Sequence, residues 1–167
     1  EACITPMGLN AFDRLGALSR RDPSDGLTPQ PFDRDRDGLV IGEGAAVLAL
    51  ETETHARQRG AEILAELAGY GSTSDAFHIT APSEQGAGGA QAMRLALASA
   101  GIALDEVSYI NAHGTATELN DLSETRAIKA AFGAQAYAIP ISSTKSMTGH
   151  MMGATGALEA LFCVQAV

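Results

Sequence analysis

The sequence of 167 residues contains no tryptophan, only 5% aromatic residues and just two cysteines. Cys3 and Cys163 are too few to form a disulfide framework or a cysteine-based metal cluster. Basic residues are also scarce, with 11 against 20 acidic ones, so the formal net charge is −9. We therefore expect no nucleic-acid partner, because binding phosphates requires a basic surface. No apolar run approaches the roughly 20 residues of a membrane-spanning helix, so we expect no membrane partner.

Small and apolar residues make up much of what is present. Hydrophobic residues account for 46% of the chain and 18 residues are glycine, which excludes a disordered chain and predicts a tightly packed core. The length by itself suits one domain. However, residues 157–167 read as a nearly all-apolar helix without a C-terminal capping residue, and such a helix belongs in the interior of a larger protein. We therefore expect the chain to be a fragment.

Helical and strand-like patterns alternate along the chain. The spacing of apolar residues predicts helices, and short apolar runs predict strands. The helices are expected within residues 1–22, over 54–59, from the end of a 73–88 loop to residue 100, over 121–132 and from about 151 onward; the strands are expected over 44–50, 63–72, 107–111 and 139–142. From residue 86 onward, this order of helix, strand, helix, strand and helix is typical of an α/β fold.

Two of the predicted strands end in turns that carry reactive side chains. Residues 109–117 deliver His113 after an apolar strand, and residues 142–150 deliver Lys145 and His150. In α/β folds, functional groups gather at such strand ends. A histidine at the start of a helix favours the neutral imidazole, which can donate a hydrogen bond to an oxygen that becomes negative during a reaction. The pair His113 and His150 is therefore the candidate catalytic centre.

Other interpretations of these residues stay open at this point. Each histidine could be structural, and Ser146 or Thr148 could simply cap a helix. A zinc site would need a third ligand, but the sequence has no Cys/His cluster and no HExxH motif. Glu159 follows His150 by nine residues, so a single helix does not easily present both to one ion. We therefore do not expect a metal bound by the two histidines.

Five segments together resemble the β-ketoacyl synthases, the condensing enzymes of fatty-acid and polyketide synthesis. They are EACITPMG at 1–8, PFDRDRDGLVIGEGAAVLALE at 31–51, YGSTSDAFHITAP at 70–82, NAHGTAT at 111–117 and SSTKSMTGHMMGATGALEA at 142–160. The sequence most resembles the 3-oxoacyl-[acyl-carrier-protein] synthase II type. The resemblance implies an α/β, thiolase-like layered α-β-α-β-α fold that is incomplete in this fragment. It also implies that residues 1–85 end the N-terminal half, that residues 86–167 form most of the C-terminal half, and that the full-length protein is a cytoplasmic homodimer.

The resemblance implies a decarboxylative Claisen condensation that uses no organic cofactor. In the family, a cysteine takes the acyl chain as a thioester, malonyl-acyl carrier protein loses CO2, and the resulting carbanion attacks the thioester. His113 and His150 would hold the malonyl thioester oxygen and stabilise the enolate, and Lys145 would support both histidines electrostatically. The implied partner is acyl carrier protein in its malonyl and acyl forms.

The same resemblance implies supporting roles for four further residues. Glu159 would orient Lys145 or neighbouring backbone, and Thr115 and Thr117 would hydrogen-bond the pantetheine arm of the carrier protein. Asn111 and Glu159 would also contribute to the monovalent-cation site that some members contain. No other metal is implied.

The sequence departs from the family pattern in its nucleophile. The family's nucleophilic cysteine lies upstream of the segments matched here, and neither Cys3 nor Cys163 occupies its position. We therefore predict that these 167 residues alone do not condense acyl and malonyl thioesters. One alternative is a subunit of an aromatic polyketide synthase, either its ketosynthase or its non-catalytic chain-length factor; the retained histidines and lysine favour an active synthase. Another is a biosynthetic thiolase, against which KSMTGH at 145–150 speaks.

Overall fold

The structure, a computed structural model, describes residues 1–26 and 29–166. Its helices are α1 (Pro6–Arg14), α2 (Glu53–Gln58), α3 (Ala87–Ala100), α4 (Glu118–Phe132), α5 (Lys145–Thr148) and α6 (Thr155–Ala166), and its strands are β1 (Ile110–Asn111) and β2 (Ile141–Ser142). Short 3₁₀ turns lie at Pro23–Asp25, Leu104–Glu106, Gly133–Tyr137 and Met152–Ala154. Helices and strands alternate from residue 87 onward, so the predicted α/β arrangement of this part is confirmed.

The two strands pair in parallel and form the sheet of the described residues. Ile110 pairs with Ile141 and Asn111 with Ser142, and the Ala112 amide donates to the Ser142 carbonyl at 2.8 Å. Both strands are shorter at their N-terminal ends than the sequence predicts. Because parallel strands end at the same edge of a sheet, the turns that follow β1 and β2 lie side by side.

The core lies between α3 and α4, which approach closely because many of their facing side chains are small. Its buried members are Ala90, Ala127, Ile128, Ala131, Phe132 and Ile139. Met93 and Leu97 pack against it from α3. The α3 helix ends at Ala100 as predicted, and Gly101 follows in the left-handed conformation (φ 71°). The α4 helix starts at Glu118, ahead of its predicted start at residue 121, and ends at Phe132 as predicted.

The two helices of the N-terminal part differ in how well the sequence predicts them. The α1 helix is shorter than the helical pattern of the first 22 residues indicates: it ends at Arg14, and Gly16 follows in the left-handed conformation (φ 67°). Leu18, which lies within the predicted helical stretch of residues 1–22, instead forms a parallel bridge with Leu39. The α2 helix is confirmed, since its bounds differ by one residue from the predicted 54–59.

Two predicted strands are wrong for the described residues. Residues 44–50 and 63–72 have no strand partner in the described part of the chain, and a strand requires a hydrogen-bond ladder to a neighbour. Several of their apolar side chains are correspondingly open: Val47 is 90% exposed and Leu67 is 78% exposed. Gly71 nevertheless packs against α3, where an added Cβ would overlap the Ala92 carbonyl oxygen. The apolar runs thus indicated segments that are suited to packing or strand pairing, but they did not indicate which segment each one pairs with.

The last helix, α6, begins at Thr155 rather than near residue 151, because a 3₁₀ turn precedes it. Thr155 is buried, and the residues after it are half-buried or exposed within the described chain. The expected burial of this helix in a larger protein stays a prediction. Across residues 1–26 and 29–166, no helix combines the length and the apolarity needed to cross a membrane.

Candidate active site

The turns that follow β1 and β2 bring His113 and His150 together. Their ring centroids lie 5.3 Å apart and the ring planes meet at 87°, so one ring presents its edge to the other. His113 is exposed, whereas His150 is half-buried. Two imidazoles at this separation share one local environment, so the charge of one affects the other.

Backbone contacts from residues 40–42 fix the position of His150. The His150 amide donates to the Val40 carbonyl at 2.7 Å, and the Gly42 amide donates to the His150 carbonyl at 3.0 Å. These two hydrogen bonds form a parallel bridge between Ile41 and His150. Sequence reasoning missed this contact, because a bridge between two distant short segments leaves no local pattern in the sequence.

The side chain of His150 is held in a form that donates a hydrogen bond through Nε2. Its Nδ1 accepts the N–H of Met152 at 3.2 Å. A ring nitrogen that accepts an N–H carries no proton of its own, so the neutral ring holds its proton on Nε2. The Nε2–H group is then free to donate to an oxygen of a bound molecule.

Both imidazoles are neutral at ordinary pH. Burial lowers the pKa of His113 to about 4; the charge of Lys145 adds to this shift and Asp121 opposes it. Burial likewise lowers the pKa of His150 to about 4, with further contributions from His113 and Lys145. Removal of water disfavours the imidazolium form, and neighbouring positive charge repels it. The pair is therefore suited to donating hydrogen bonds while staying uncharged.

Lys145, the first residue of α5, is 1% exposed. Its Nζ donates to the His113 carbonyl oxygen at 2.5 Å and to Glu159 Oε1 at 2.6 Å. A buried ammonium is unfavourable without a partner of opposite charge, so the Glu159 carboxylate is what stabilises Lys145 in this position. The ammonium thus links the His113 turn, α5 and α6.

Glu124 is a residue of the site that sequence reasoning missed. Its carboxylate accepts the His113 N–H at 2.7 Å and the Gly114 N–H at 2.8 Å, and so holds the turn that carries the His113 ring. The Asn120 amide supports the carboxylate at 3.3 Å from one turn earlier on α4. The only signal in the sequence is indirect: the backbone N–H groups of a glycine turn need an acceptor when they are removed from water, and an acidic residue follows on the next helix.

Thr115 and Thr117 come together beside the same turn. Their hydroxyl oxygens lie 2.8 Å apart in a hydrogen bond, with Thr115 buried and Thr117 half-buried. Thr117 occupies the N-cap position of α4, yet its hydroxyl does not cap the helix. The capping role considered for Ser146 and Thr148 is not observed either, since both lie inside α5 and their hydroxyls donate to the Ser143 and Thr144 carbonyls.

Asn111 lies next to the backbone of α6, where its Nδ2 donates to the Glu159 carbonyl at 3.5 Å. Asn111 Oδ1 is buried and has no hydrogen-bond partner among the described residues. An amide oxygen in this state has the chemistry of a ligand for a hard cation. Asn111 Oδ1, beside the Glu159 backbone, therefore suits the monovalent-cation site that the family resemblance implies, and the site itself stays a prediction.

Neither cysteine has the properties of an activated nucleophile. Cys3 donates to Glu1 Oε1 at 3.3 Å, and this hydrogen bond, with burial, raises the pKa of its thiol. Burial raises the pKa of the Cys163 thiol. A reactive cysteine needs the opposite shift, because the thiolate is the nucleophile.

Two family models match the chain: the N-terminal domain of β-ketoacyl synthase over residues 1–56 and the C-terminal domain of β-ketoacyl synthase over residues 64–167. The chain belongs to the β-ketoacyl synthase family. The matched regions are separated by residues 57–63. The division at residue 85 that we expect from the sequence stays a prediction.

Curated relatives support a synthase of the type II group. The 3-oxoacyl-[acyl-carrier-protein] synthase 2 of Staphylococcus aureus is 51% identical over 97% of this chain and 40% of its own length. The protein of the same name from Synechocystis sp. is 50% identical over 100% of this chain and 40% of its own length. The chain therefore spans about 40% of the length of these relatives.

Solved structures of ketosynthases share the fold. One is a type II polyketide synthase acyl-carrier protein in complex with its ketosynthase bound to the hexaketide; it has a TM-score of 0.96 and 43% identity over 100% of this chain and 41% of that chain. A β-ketoacyl synthase from Burkholderia phymatum has a TM-score of 0.89 and 46% identity over 97% of this chain and 38% of its own. The fold is therefore the thiolase-like fold of the ketosynthases.

Proposed function

We propose that this chain contributes the decarboxylation site of an acyltransferase that elongates fatty acids. The complete protein would condense an acyl thioester with malonyl-acyl carrier protein to give 3-oxoacyl-acyl carrier protein. The observation that carries this proposal is the pair of neutral imidazoles 5.3 Å apart, one of them fixed as an Nε2–H donor. The relatives named 3-oxoacyl-[acyl-carrier-protein] synthase 2, about half identical over nearly the whole chain, support it.

The decarboxylation of the malonyl group is a step that two such hydrogen-bond donors would accelerate. When the bond between the malonyl carboxylate and the adjacent carbon breaks, CO2 leaves and the bonding electrons form an enolate. The negative charge of the enolate develops on the thioester oxygen, where His113 and His150 donate their hydrogen bonds. The enolate carbon then attacks the acyl thioester of a cysteine outside this chain, and the cysteine thiolate leaves. A donor aimed at a developing oxyanion accelerates such a step by about 100- to 1,000-fold.

The other polar residues support this pair. Lys145 disfavours the charged imidazolium in both rings through its own positive charge, and Glu159 keeps that charge in place. Thr115 and Thr117 hydrogen-bond the pantetheine arm in this proposal, and Asn111 and Glu159 hold a monovalent cation. Such a cation would neutralise part of the charge near Glu159 and stabilise the packing of α6.

Acyl carrier protein is the partner that this function requires. Support comes from the solved ketosynthase with a TM-score of 0.96, which is in complex with its acyl-carrier protein. We also propose that the complete protein is a cytoplasmic homodimer, as the family resemblance implies. Its N-terminal and C-terminal halves would divide near residue 85.

The substitution His150→Ala in the complete protein tests this function. We expect CO2 release from malonyl-acyl carrier protein to fall by about 100- to 1,000-fold, while transfer of the acyl chain to the enzyme stays within about twofold. His55→Ala is the matched control, because His55 is exposed and contacts Glu51 on the surface. If both steps of the reaction survive His150→Ala, the assignment of His150 is wrong.

A polyketide ketosynthase is the second candidate, and the match to the polyketide ketosynthase favours it. The two functions differ in their products when no reductase is present. A fatty-acid synthase of this type releases the 3-oxoacyl product of one condensation, whereas a polyketide ketosynthase repeats the condensation on the same chain. Mass spectrometry of the carrier-bound product distinguishes them, and a chain-length factor alone gives neither product.

A further inference from the structure

The hydroxyl of Thr155 lies against the ring of His150 at the start of α6. Thr155 is 3% exposed, and its Oγ1 lies 3.2 Å from His150 Nδ1. The same Oγ1 accepts the Met151 N–H at 2.9 Å. Met152 contributes a second amide, whose N–H donates to His150 Nδ1 at 3.2 Å. A buried threonine, two consecutive backbone amides and the imidazole therefore form one connected network.

The proton positions in this network follow from its geometry. His150 Nδ1 accepts the Met152 N–H, so this nitrogen carries no proton. The Thr155 oxygen already accepts the Met151 N–H, and its single proton is free to be donated. The hydroxyl therefore donates to Nδ1, where two donors converge on one lone pair.

We propose that Thr155 is a positioning residue that holds His150 in the Nε2–H form and fixes the direction of its ring. The hydroxyl is itself fixed by the Met151 amide, so it is not free to turn away from the ring. A rotated ring, or a ring with its proton on Nδ1, would leave the Thr155 proton without an acceptor in a buried position. The network therefore favours one tautomer and one ring orientation.

A helix-capping role does not account for this contact. A capping hydroxyl accepts an N–H from the first turn of its own helix. Thr155 instead accepts the N–H of Met151, which precedes the helix, and donates to a side chain. The charged and titratable groups that act on the His150 ring are His113 and Lys145, and neither of them selects a tautomer by contact with Nδ1.

The expected effect of Thr155 on the rate of decarboxylation rests on the proposed function, whereas the hydrogen bond between Thr155 and His150 does not depend on that function. The test uses the complete protein with ¹⁵N-labelled histidine and three variants. Thr155→Val removes the hydroxyl at nearly constant size, Thr155→Ala removes it without adding bulk in case the valine variant does not fold, and Thr155→Ser restores it. The measurements are the ¹⁵N resonances of the His150 ring and the pH profile of malonyl decarboxylation.

We expect the wild type and Thr155→Ser to share the resonances of an Nε2–H imidazole with a strongly hydrogen-bonded Nδ1. Removal of the hydroxyl should weaken that signature, lower kcat for decarboxylation by about three- to tenfold and leave KM within about twofold. The proposal is overturned if Thr155→Val or Thr155→Ala keeps the wild-type resonances and rate, or if Thr155→Ser behaves like Thr155→Val. A wild-type protein that does not decarboxylate malonyl-acyl carrier protein would refute the proposed function instead, and the resonances would still decide the role of Thr155.

Discussion

We expect the pH dependence of the proposed malonyl decarboxylation to reflect the contact between the two histidine rings, whose centroids lie 5.3 Å apart. Two unit charges at this separation, in a medium with an effective dielectric constant of about 20, repel each other by about 3 kcal/mol. A repulsion of this size separates two protonation steps by about two pKa units. Both pKa values lie at about 4, and this repulsion is already part of the His150 value, so the pair begins to take up protons near pH 4.

We therefore expect the rate of CO2 release by the complete protein to be constant from about pH 8 down to about pH 5.5. Below that range the rate should fall with an apparent pKa near 4, because protonation removes the Nδ1 lone pair of His150 that accepts the Met152 N–H and so releases the ring from its fixed orientation. The assay follows CO2 release from saturating malonyl-acyl carrier protein at constant ionic strength. An apparent pKa near the ordinary imidazole value of about 6.5 would refute the reasoning.

The substitution Lys145→Met tests the electrostatic cause of these low pKa values. The positive charge of Lys145 lowers the pKa of His113 and also that of His150. Its replacement by methionine should therefore move the acid limb of the rate profile to higher pH, while Lys145→Arg keeps the positive charge and is the matched control. Equal profiles for the two variants would show that the charge at this position does not act on the histidines.

The lowered pKa values of the two histidines also affect folding stability, and they determine that the free energy of unfolding decreases as the pH falls. In the folded state the pKa values of His113 and His150 are lowered to about 4, so the unfolded chain binds more protons between about pH 4 and about pH 6.5. The stabilisation from the neutral rings is fully present above about pH 6.5 and is lost as the pH falls through this window. Because both rings keep contact with solvent, we expect a loss of about 1 kcal/mol per ring. Urea unfolding at about pH 7 and about pH 5 measures this loss, and equal or greater stability at the lower pH would contradict it.

Two substitutions test the residues that hold the histidines in place. Glu159→Gln leaves the Lys145 ammonium buried without its partner at 2.6 Å, so the free energy of unfolding should fall by about 3 kcal/mol in urea titrations. The double variant Lys145→Met/Glu159→Gln should regain part of that loss; additive losses would mean that the two side chains are not coupled. Glu124→Ala removes the acceptor of two backbone N–H groups, at 2.7 and 2.8 Å, and should lower the rate of decarboxylation at least tenfold without preventing acyl transfer. Glu118→Ala, an exposed change on the same helix, is its control, and equal rates for the two variants would exclude the proposed role of Glu124.

The meeting of His113 and His150 could be predicted because it depends on local patterns and one general rule. Each histidine follows a short apolar run, and the carboxyl ends of neighbouring parallel strands lie at the same edge of a sheet. The end of α3 was predictable for a similar reason: Gly101 follows the last apolar residue of the pattern and takes up the left-handed conformation there. In both cases the information lies within a few residues of the feature.

The contacts that orient the histidines could not be predicted in this way. The Glu124 carboxylate reaches the His113 turn from the following helix, and residues 40–42 reach His150 from a distant part of the chain. Neither contact has a periodic or compositional signature. The prediction of strands over 44–50 and 63–72 was wrong for a related reason. An apolar run indicates that a segment is suited to pairing, but the paired segment lies elsewhere in the sequence and is not identified by the run itself.

These orienting contacts have a common consequence for the site. The backbone of His113 is held by Glu124 of α4 and by Lys145, which lie in the region matched by the C-terminal domain of the family. The backbone of His150 is held by residues 40–42, which lie in the region matched by the N-terminal domain. The 5.3 Å separation of the two rings is therefore set jointly by contacts from both regions. A displacement of residues 40–42 by a few tenths of an ångström would move one donor relative to the other, and a hydrogen bond weakens steeply when its geometry is lost. The proposed decarboxylation site is thus a property of the contact between the two regions and not of the strand ends alone.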